Sequence, residues 1–456
     1  MNKKDIYLSI QNLEPLLKKT CQYIWHHPEV SDSEKQASQY YKNELIQQGF
    51  TIKEDQENSF AFYGEYGSGK PVIAILGEYD ALPGLSQKVC TSKNPIEENG
   101  AGHGCGHNLL GGAALIAAIA IKNYLEKCHM KGTIRFYGCP AEELLKGKVE
   151  MIAHHMFDNC DVALSWHPSD INMVHDQAYL ANTSMKFYFS GKTSHAGFAP
   201  ERGRSALDAV ELMSVGCNYL REHVIDKVRI HYTTDSGHFS PNIVPDKASA
   251  WYIIRAPKME DVKEVARRVE LVAKGAAMMS ETIVFIEQGY GTCELKENHA
   301  FADLFYQNLL EAQCPQYTKA EQEFARDIQN TIDKNILKHT QASYQQNHVL
   351  FTNVADRNSW KENPVCASSD SGDVSYIMPT GLFNTVCWPI GIAPHTWQAT
   401  ACAGSTIGEK GALYAAEILA GSAYDLLTKP EILKNIQAEF NRRDDGTYQP
   451  TLPKQK

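Results

Sequence analysis

The chain has 456 residues, with 44 Lys plus Arg against 54 Asp plus Glu, a net charge of -10, and 43% hydrophobic and 21% charged residues. That length calls for two or three folding units at about 150 residues each, and the composition is that of an ordinary globular protein, which excludes disordered and fibrous classes. A net negative charge with no long basic block leaves nothing to draw the chain to nucleic acid or anionic lipid.

The start, MNKKDIYLSIQNLEPLLKK, reads as an amphipathic helix rather than the apolar core of an export signal. Ser31 followed by Glu34 has the spacing of a capping box opening the helix SEKQASQYYKNELIQQ, which stops before Gly49. PVIAILGEYDALPG predicts a buried strand, Val72 to Leu76, breaking into a Pro/Gly loop. NLLGGAALIAAIAIKNYL then predicts a buried helix capped by Asn108. Its most apolar run, Leu109 to Ile121, is too short for a membrane span, which needs ~20 residues. TIRFYG and VALSW predict two more strands with a helix between them, and strands alternating with helices indicate an open α/β sheet.

From Thr183 the pattern changes. MKFYFSGK, VRIHYTT, ASAWYIIRAP and TIVFIEQ read as four alternating strands, with SALDAVELMSVGCNYLREH and MEDVKEVARRVELVAKGAAMMS as two helices among them. This is a self-contained α+β unit inserted into the α/β portion, so the expected division is 1–182, 183–293 and 294–456, the outer pieces forming one domain. A helical, polar stretch from His299 to about Gln346 leads to a final strand and helix, GLFNTVCW and GALYAAEILAGSAYDLL. Twelve cysteines scattered through the chain without a CxxC pair favour reduced thiols and a cytoplasmic location.

Potential ligands collect just after predicted strands: Glu78 and Asp80, Glu142 and Glu143, His167, and His395. Ligands bind at the carboxyl ends of strands in open α/β sheets, so one shared site is expected. GAGHGCGHN adds His103, Cys105 and His107, spaced by two, with glycines that let the backbone fold tightly. Imidazole, thiolate and carboxylate together make a donor set for zinc or a similar transition metal. Taken singly, each Cys or His reads more readily as a packed core residue than as a ligand. The adjacent Glu142 and Glu143 suit a split of labour, one binding metal and one handling protons, or simply an acidic helix start. GEYGSGKP is no phosphate loop, since Pro71 stands where Ser or Thr is required, and no GxSxG supports a serine nucleophile. His154 and His155 read as solvated, and a Cys105 nucleophile paired with His107 ranks below coordination.

In order, WHHPEVSDSE, EYDALPG, GHGCGHNLLG, CPAEE, SWHP, GKTSHAGFAPERGRSALDAV, PNIVP and APHTWQ resemble the co-catalytic metallopeptidase family of glutamate carboxypeptidase and aminoacylase. The resemblance spans almost the whole chain and is narrowest to the amidohydrolase branch of aminobenzoyl-glutamate hydrolases and β-alanyl dipeptidases. It implies an α/β fold, an open mixed sheet with flanking helices like that of zinc peptidases, and an inserted four-stranded lid and dimerisation domain. It also implies two divalent metal ions, zinc or manganese, held by Cys105, His107, Glu143, His167 and His395, with Glu142 as general base and Asp80 orienting a ligand. Members with a His-x-Asp motif carry a metal-binding His where this chain has Glu78, so Glu78 is not assigned as a ligand. His195 is implied as a donor to the tetrahedral oxyanion, reaching the neighbouring subunit's site, and Asn242 and Arg255 as grips on the carboxylate of the released amino acid. Ser369, Asp370 and Asp373 border the expected pocket without an assigned role, and Gly197 and Gly203 shape a lid turn.

The expected activity is metal-dependent hydrolysis of the amide bond joining an acyl, aminobenzoyl or aminoacyl group to a free amino acid. Its substrate is an N-acyl amino acid or dipeptide, and its assembly a homodimer or a heterodimer of homologous subunits, with no nucleic acid or membrane partner. The alternative is a non-catalytic or partner-dependent subunit of a heteromeric hydrolase.

Overall fold

The computed structural model describes residues 2–237, 239–357, 367–443 and 446–453. In chain order its strands are β1 (Thr51–Glu54), β2 (Phe62–Ser68), β3 (Val72–Glu78), β4 (Gly132–Cys139), β5 (Val162–Ser169) and β6 (Met173–Val174). They continue with β7 (Ala181–Ser190), β8 (Arg229–Asp235), β9 (Lys247–Ala256), β10 (Ile283–Thr292) and β11 (Thr380–Val386). Contacts divide the chain into two compact units: Met1–Gln177 with Lys296–Asn363 and Val374–Tyr448, and Ala178–Leu295 with Pro364–Asp373 and Gln449–Lys456.

The first unit is built on a seven-stranded sheet in the order β1-β2-β4-β3-β5-β11-β6. β4, β3, β5 and β11 run parallel, while β2 pairs antiparallel with both β1 and β4 and β6 pairs antiparallel with β11, so the sheet is mixed. Every residue of β3 is buried because both faces are covered. Ile73 and Ile75 pack into the cluster under the helices His107–Cys128 and Thr406–Thr428, whereas Ala74 and Leu76 join Tyr137, Met151, Phe157 and Met378 on the other face. That is the period-two alternation of a strand serving two cores at once. The helix His107–Cys128 is long and apolar enough to cross a membrane by length and composition, but it is spent on this core, where all of Leu109–Ile121 is buried. Register does the rest: with Ala74 level with Arg135 on one side and Ala163 on the other, the parallel strands end along one edge.

In the second unit four antiparallel strands run in the order β10-β7-β9-β8. The helices Ala206–Leu220 and Met259–Ser280 cover one face, onto which Met185, Phe187, Phe189, Tyr252 and Ile254 point. The alternating strands and two helices read from the sequence are present.

Four local expectations are corrected. The N-terminal segment is two helices, Lys3–Asn12 and Glu14–His26, because Pro15 lacks an N–H and its ring obstructs the carbonyl of Gln11, so one helix cannot run through. Ser31 and Glu34 form no capping box; Ser31 Oγ donates to Asp80, and the Glu29 carboxylate accepts from the Gln36 and Ala37 N–H groups at 2.9 and 3.0 Å instead. Asn108 is no cap: it sits inside its helix and donates to the carbonyls of Cys21 and Ala403, while Gly106 precedes the helix in the left-handed region. His154 is not simply solvated, since its Nδ1 lies 2.6 Å from Asp55.

Glu417, buried on the helix Thr406–Thr428, has its carboxyl pushed up to about 7 by burial. A folded pKa above the unfolded one means stability that is fully present below the unfolded pKa and is lost as pH rises through 7. Glu417→Gln removes that loss. Relative to the parent it should gain on the order of 2 kcal/mol between pH 5 and pH 8 in urea denaturation, and equal pH dependence of the two proteins would contradict the assignment.

Candidate metal centre

The site grows from the carboxyl ends of β3, β4 and β5. β3 delivers Glu78 as its last residue and Asp80 just beyond it, and the turn after β4 delivers Glu142 and Glu143. His167 lies within β5 rather than after it, and His107 opens the long apolar helix. The glycine-rich loop makes their approach possible: a Cβ on Gly102 would stand 2.0 Å from the Leu85 carbonyl oxygen, and Gly106 adopts φ +78°. His395 is tied to this loop by its own N–H, which donates to the Gly104 carbonyl at 2.8 Å.

Asp80 organises the centre. Its Oδ1 accepts from His107 Nδ1 at 2.8 Å, and its Oδ2 accepts from Ser31 Oγ at 2.8 Å and from the Glu143 N–H at 2.9 Å. With carboxylate and carbonyl oxygens facing Nδ1, that nitrogen carries the proton and Nε2 is left as the lone-pair face. His107 Nε2 is fully buried, has no hydrogen-bond partner, and lies 3.4 Å from Glu78 Oε2 and 3.9 Å from Glu142 Oε2. A lone pair aimed at two carboxylates is repulsive unless a cation or a proton stands between them.

The neighbouring donors repeat the pattern. His167 Nδ1 donates to the Pro168 carbonyl at 2.8 Å, turning Nε2 toward Cys105 Sγ at 3.3 Å. His395 Nε2 is 3.3 Å from Glu143 Oε2, and Glu143 Oε1 is buried without a partner. Three overlapping sets have ligand atoms within 4.8 Å of one another: Cys105, His107 and His167; Cys105, Glu143 and His395; Glu78, His107 and Glu142. Nitrogen, sulfur and oxygen donors gathered this closely, with His107 Nε2 and Glu143 Oε1 buried and without hydrogen-bond partners, fit a divalent transition metal.

Electrostatics points the same way. Burial, and then the Glu143 charge, push the Cys105 thiol well above its usual range, the opposite of what an activated nucleophile needs. Burial also pushes His167 down to about 4, keeping its imidazole neutral, while burial and the Asp80 charge raise Glu143 to about 7. Burial would lower the His107 pKa, but Cys105 and Asp80 outweigh it and raise it, so Nε2 takes up positive charge between the carboxylates, a proton where no cation stands.

The structure thus brings Asp80, Cys105, His107, Glu142, Glu143, His167 and His395 together. His195, Asn242 and Arg255 lie in the other unit. There the exposed His195 accepts at Nδ1 from the N–H groups of Gly197 and Phe198, and the Ala196 N–H donates to the Asn242 carbonyl at 2.9 Å. Arg255 is half-buried on β9, level with Asn182 on β7 and Arg229 on β8. His103 stays out of the ligand sets; burial pushes its pKa down to about 3 and its Nε2 bonds the Ile24 carbonyl.

Lys148 was missed by sequence reasoning. It is fully buried, with Nζ 2.6 Å from Glu78 Oε1. Burial alone would raise the Glu78 carboxyl, but Lys148 and then His107 hold it below its ordinary value. Nothing in GKVEMIA distinguishes this lysine from a surface one, because its partner is seventy residues away.

A profile of the peptidase dimerisation domain matches residues 182–278. Across 448 residues the chain is 39% identical to one of the subunits of the p-aminobenzoyl-glutamate hydrolase of Escherichia coli (strain K12), covering 94% of this chain and 93% of that protein. It is 27% identical over 435 residues to the Xaa-Arg dipeptidase of Mus musculus, covering 91% of this chain and 87% of that one. A dinuclear metal binding peptidase from Bacillus subtilis, of the M20 family, has a similar fold, with a TM-score of 0.60 at 16% identity over 92% of this chain and 99% of that one.

Lys148→Met should cost about 3–5 kcal/mol in urea denaturation, because it strands a buried carboxylate at Glu78. Adding Glu78→Leu should recover most of that loss. A single substitution with parental stability would mean that the pair carries no such charge balance.

Proposed function

Because the chain belongs to the M20 family, the co-catalytic metallopeptidases of the glutamate carboxypeptidase and aminoacylase type, we propose that it is a metal-dependent amidohydrolase cleaving the amide bond between an acyl, aminobenzoyl or aminoacyl group and a free amino acid. The observation that carries this reading is the buried, partnerless His107 Nε2 between the Glu78 and Glu142 carboxylates, next to the Cys105 and His167 pair.

In this reading Cys105, His107, Glu143, His167 and His395 hold two divalent ions. Thiolate and imidazole donors favour zinc, while the family resemblance also admits manganese. When bound, such ions lower the pKa of water toward ~7 and polarise a carbonyl. Glu142, only 7% exposed beside the His107 imidazole, accepts a proton from the attacking water and returns it to the amine nitrogen as the C–N bond breaks. Asp80 does not touch substrate; it holds the His107 tautomer and, through the Glu143 N–H, the turn that carries both glutamates.

The inserted unit, residues 183–293, serves as lid and dimer contact, and the match to a peptidase dimerisation domain supports that assignment. From it His195 donates to the developing oxyanion in the neighbouring subunit's site, where one lost donor typically costs about 100-fold or more. Asn242 and Arg255 grip the carboxylate of the leaving amino acid, for which a planar guanidinium is the bidentate partner. The substrate is an N-acyl amino acid, p-aminobenzoyl-glutamate or a dipeptide. The cysteines, none of them in a disulfide among the described residues, support a cytoplasmic location. A second reading, in which the chain works only with a homologous companion, is favoured by the Escherichia coli relative being one part of a hydrolase made of more than one kind of chain. Activity of the purified chain alone would exclude it.

Removal of metal with a chelator should abolish hydrolysis, and zinc or manganese should restore it. Glu142→Gln should retain metal by elemental analysis yet lose about 1,000-fold in kcat; undiminished turnover would refute the assigned base. Arg255→Ala should raise KM at least about tenfold with kcat nearly unchanged, and an unchanged KM would remove Arg255 from the carboxylate grip.

A further inference from the structure

The turn that presents Glu142 is held in an unfavourable backbone conformation. Ala141, immediately before it, has φ +51°, a left-handed geometry that costs a residue with a Cβ about 1–2 kcal/mol. Such a conformation persists only when its surroundings impose it, and three contacts do so. The Ala141 N–H donates to Glu34 Oε1 at 2.7 Å, and the Glu143 N–H donates to Asp80 Oδ2 at 2.9 Å. Gly147 packs so closely on the Pro140 carbonyl that a Cβ there would lie 1.7 Å from the oxygen.

Of the two carboxylates among these anchors, Glu34 is the one to which no other role is assigned. Its carboxylate does not cap the helix it precedes, which Glu29 caps instead. It is fully buried, and its second oxygen, Oε2, has no hydrogen-bond partner. A buried carboxyl with one oxygen unsatisfied is a poor choice for stability alone, and an apolar side chain would fill the space more cheaply. What an apolar side chain cannot supply is the acceptor for Ala141. Three residues earlier, Ser31 braces the second anchor by donating to Asp80 at 2.8 Å.

We propose that Glu34 is a positioning residue for hydrolysis: it accepts from the Ala141 peptide, fixes the left-handed turn and thereby aims Glu142, while itself touching neither substrate nor metal. This inference rests on Glu142 being the base. Without the Glu34 acceptor the Ala141 peptide rotates toward a common backbone region and carries Glu142 with it, and a displacement of about 1 Å at a catalytic group costs on the order of 100-fold.

The test compares Glu34→Leu, which deletes the acceptor, with Glu34→Gln, which keeps an oxygen at the same reach, and with Glu142→Gln. The full-length protein is loaded with zinc and assayed on p-aminobenzoyl-glutamate and a dipeptide panel. Glu34→Leu should lose at least about tenfold in kcat with KM and bound zinc unchanged, and Glu34→Gln should restore kcat to near the parent. In the cobalt-substituted proteins the visible absorption of Glu34→Leu should shift, because Glu143 follows the same turn, and that of Glu34→Gln should match the parent whether or not a substrate has been found. If Glu34→Leu does not accumulate as folded protein, Glu34→Ala decides by the same measures. Parental kcat and cobalt spectrum in the variant lacking the acceptor, beside an inactive Glu142→Gln, would overturn the role of Glu34 and leave the proposed function standing. A fully active Glu142→Gln would overturn both.

Discussion

Taking several carboxylates out of water at one place is the constraint on which the rest of the molecule depends. Glu34, Glu78, Asp80 and Glu142 are all buried around the carboxyl ends of β3 and β4. Like charges about 4 Å apart repel by roughly 4 kcal/mol at an effective dielectric constant near 20. A fold can hold such a cluster only by answering each oxygen. Lys148 answers Glu78, His107 and two other donors answer Asp80, and the Ala141 peptide answers half of Glu34. One oxygen each of Glu78 and Glu142 faces His107 Nε2, which finds no hydrogen-bond partner among the described residues. Positive charge is what the chemistry of this corner calls for, and a divalent cation matches it.

The sheet supplies the geometry for this. Its four parallel strands are buried on both faces, so their side chains are committed to two cores, and chemistry is left to the residues where the strands end. The glycine-rich loop then crosses close to the Leu85 backbone and delivers Cys105 and His107 to the same edge. His107 is rigid because it opens a helix whose next fourteen residues are buried. Ligands carried by the rigid core are placed more reproducibly than ligands on free loops.

Much of this was legible in the sequence because it is written in local patterns. Apolar runs gave the strands and the buried helix, alternating residues gave the four-stranded unit, and alternate glycines around Cys105 marked a loop that must pack closely. What could not be read were pairings between distant residues. Ser31 and Glu34 have the spacing of a helix cap, yet their side chains turn to Asp80 and Ala141, because buried donors and acceptors there outcompete a solvated helix end that Glu29 serves from outside. Asn108 departs from its cap-like spacing for the same reason: two carbonyls, of Cys21 and Ala403, reach it inside the core. Lys148 carries no local signature at all, since a buried lysine differs from a surface one only through its partner.

Strand order has a consequence for how the protein is made. β11 fills the slot between β5 and β6, although both of those are synthesised long before it and a whole second unit is translated in between. A ribosome-bound chain therefore carries an open slot in its sheet until its C-terminal part emerges, and His395 follows later still. The nascent polypeptide lacks part of this donor cluster throughout that time. Whatever chemistry the finished centre performs is withheld at least until β11 and His395 have been added.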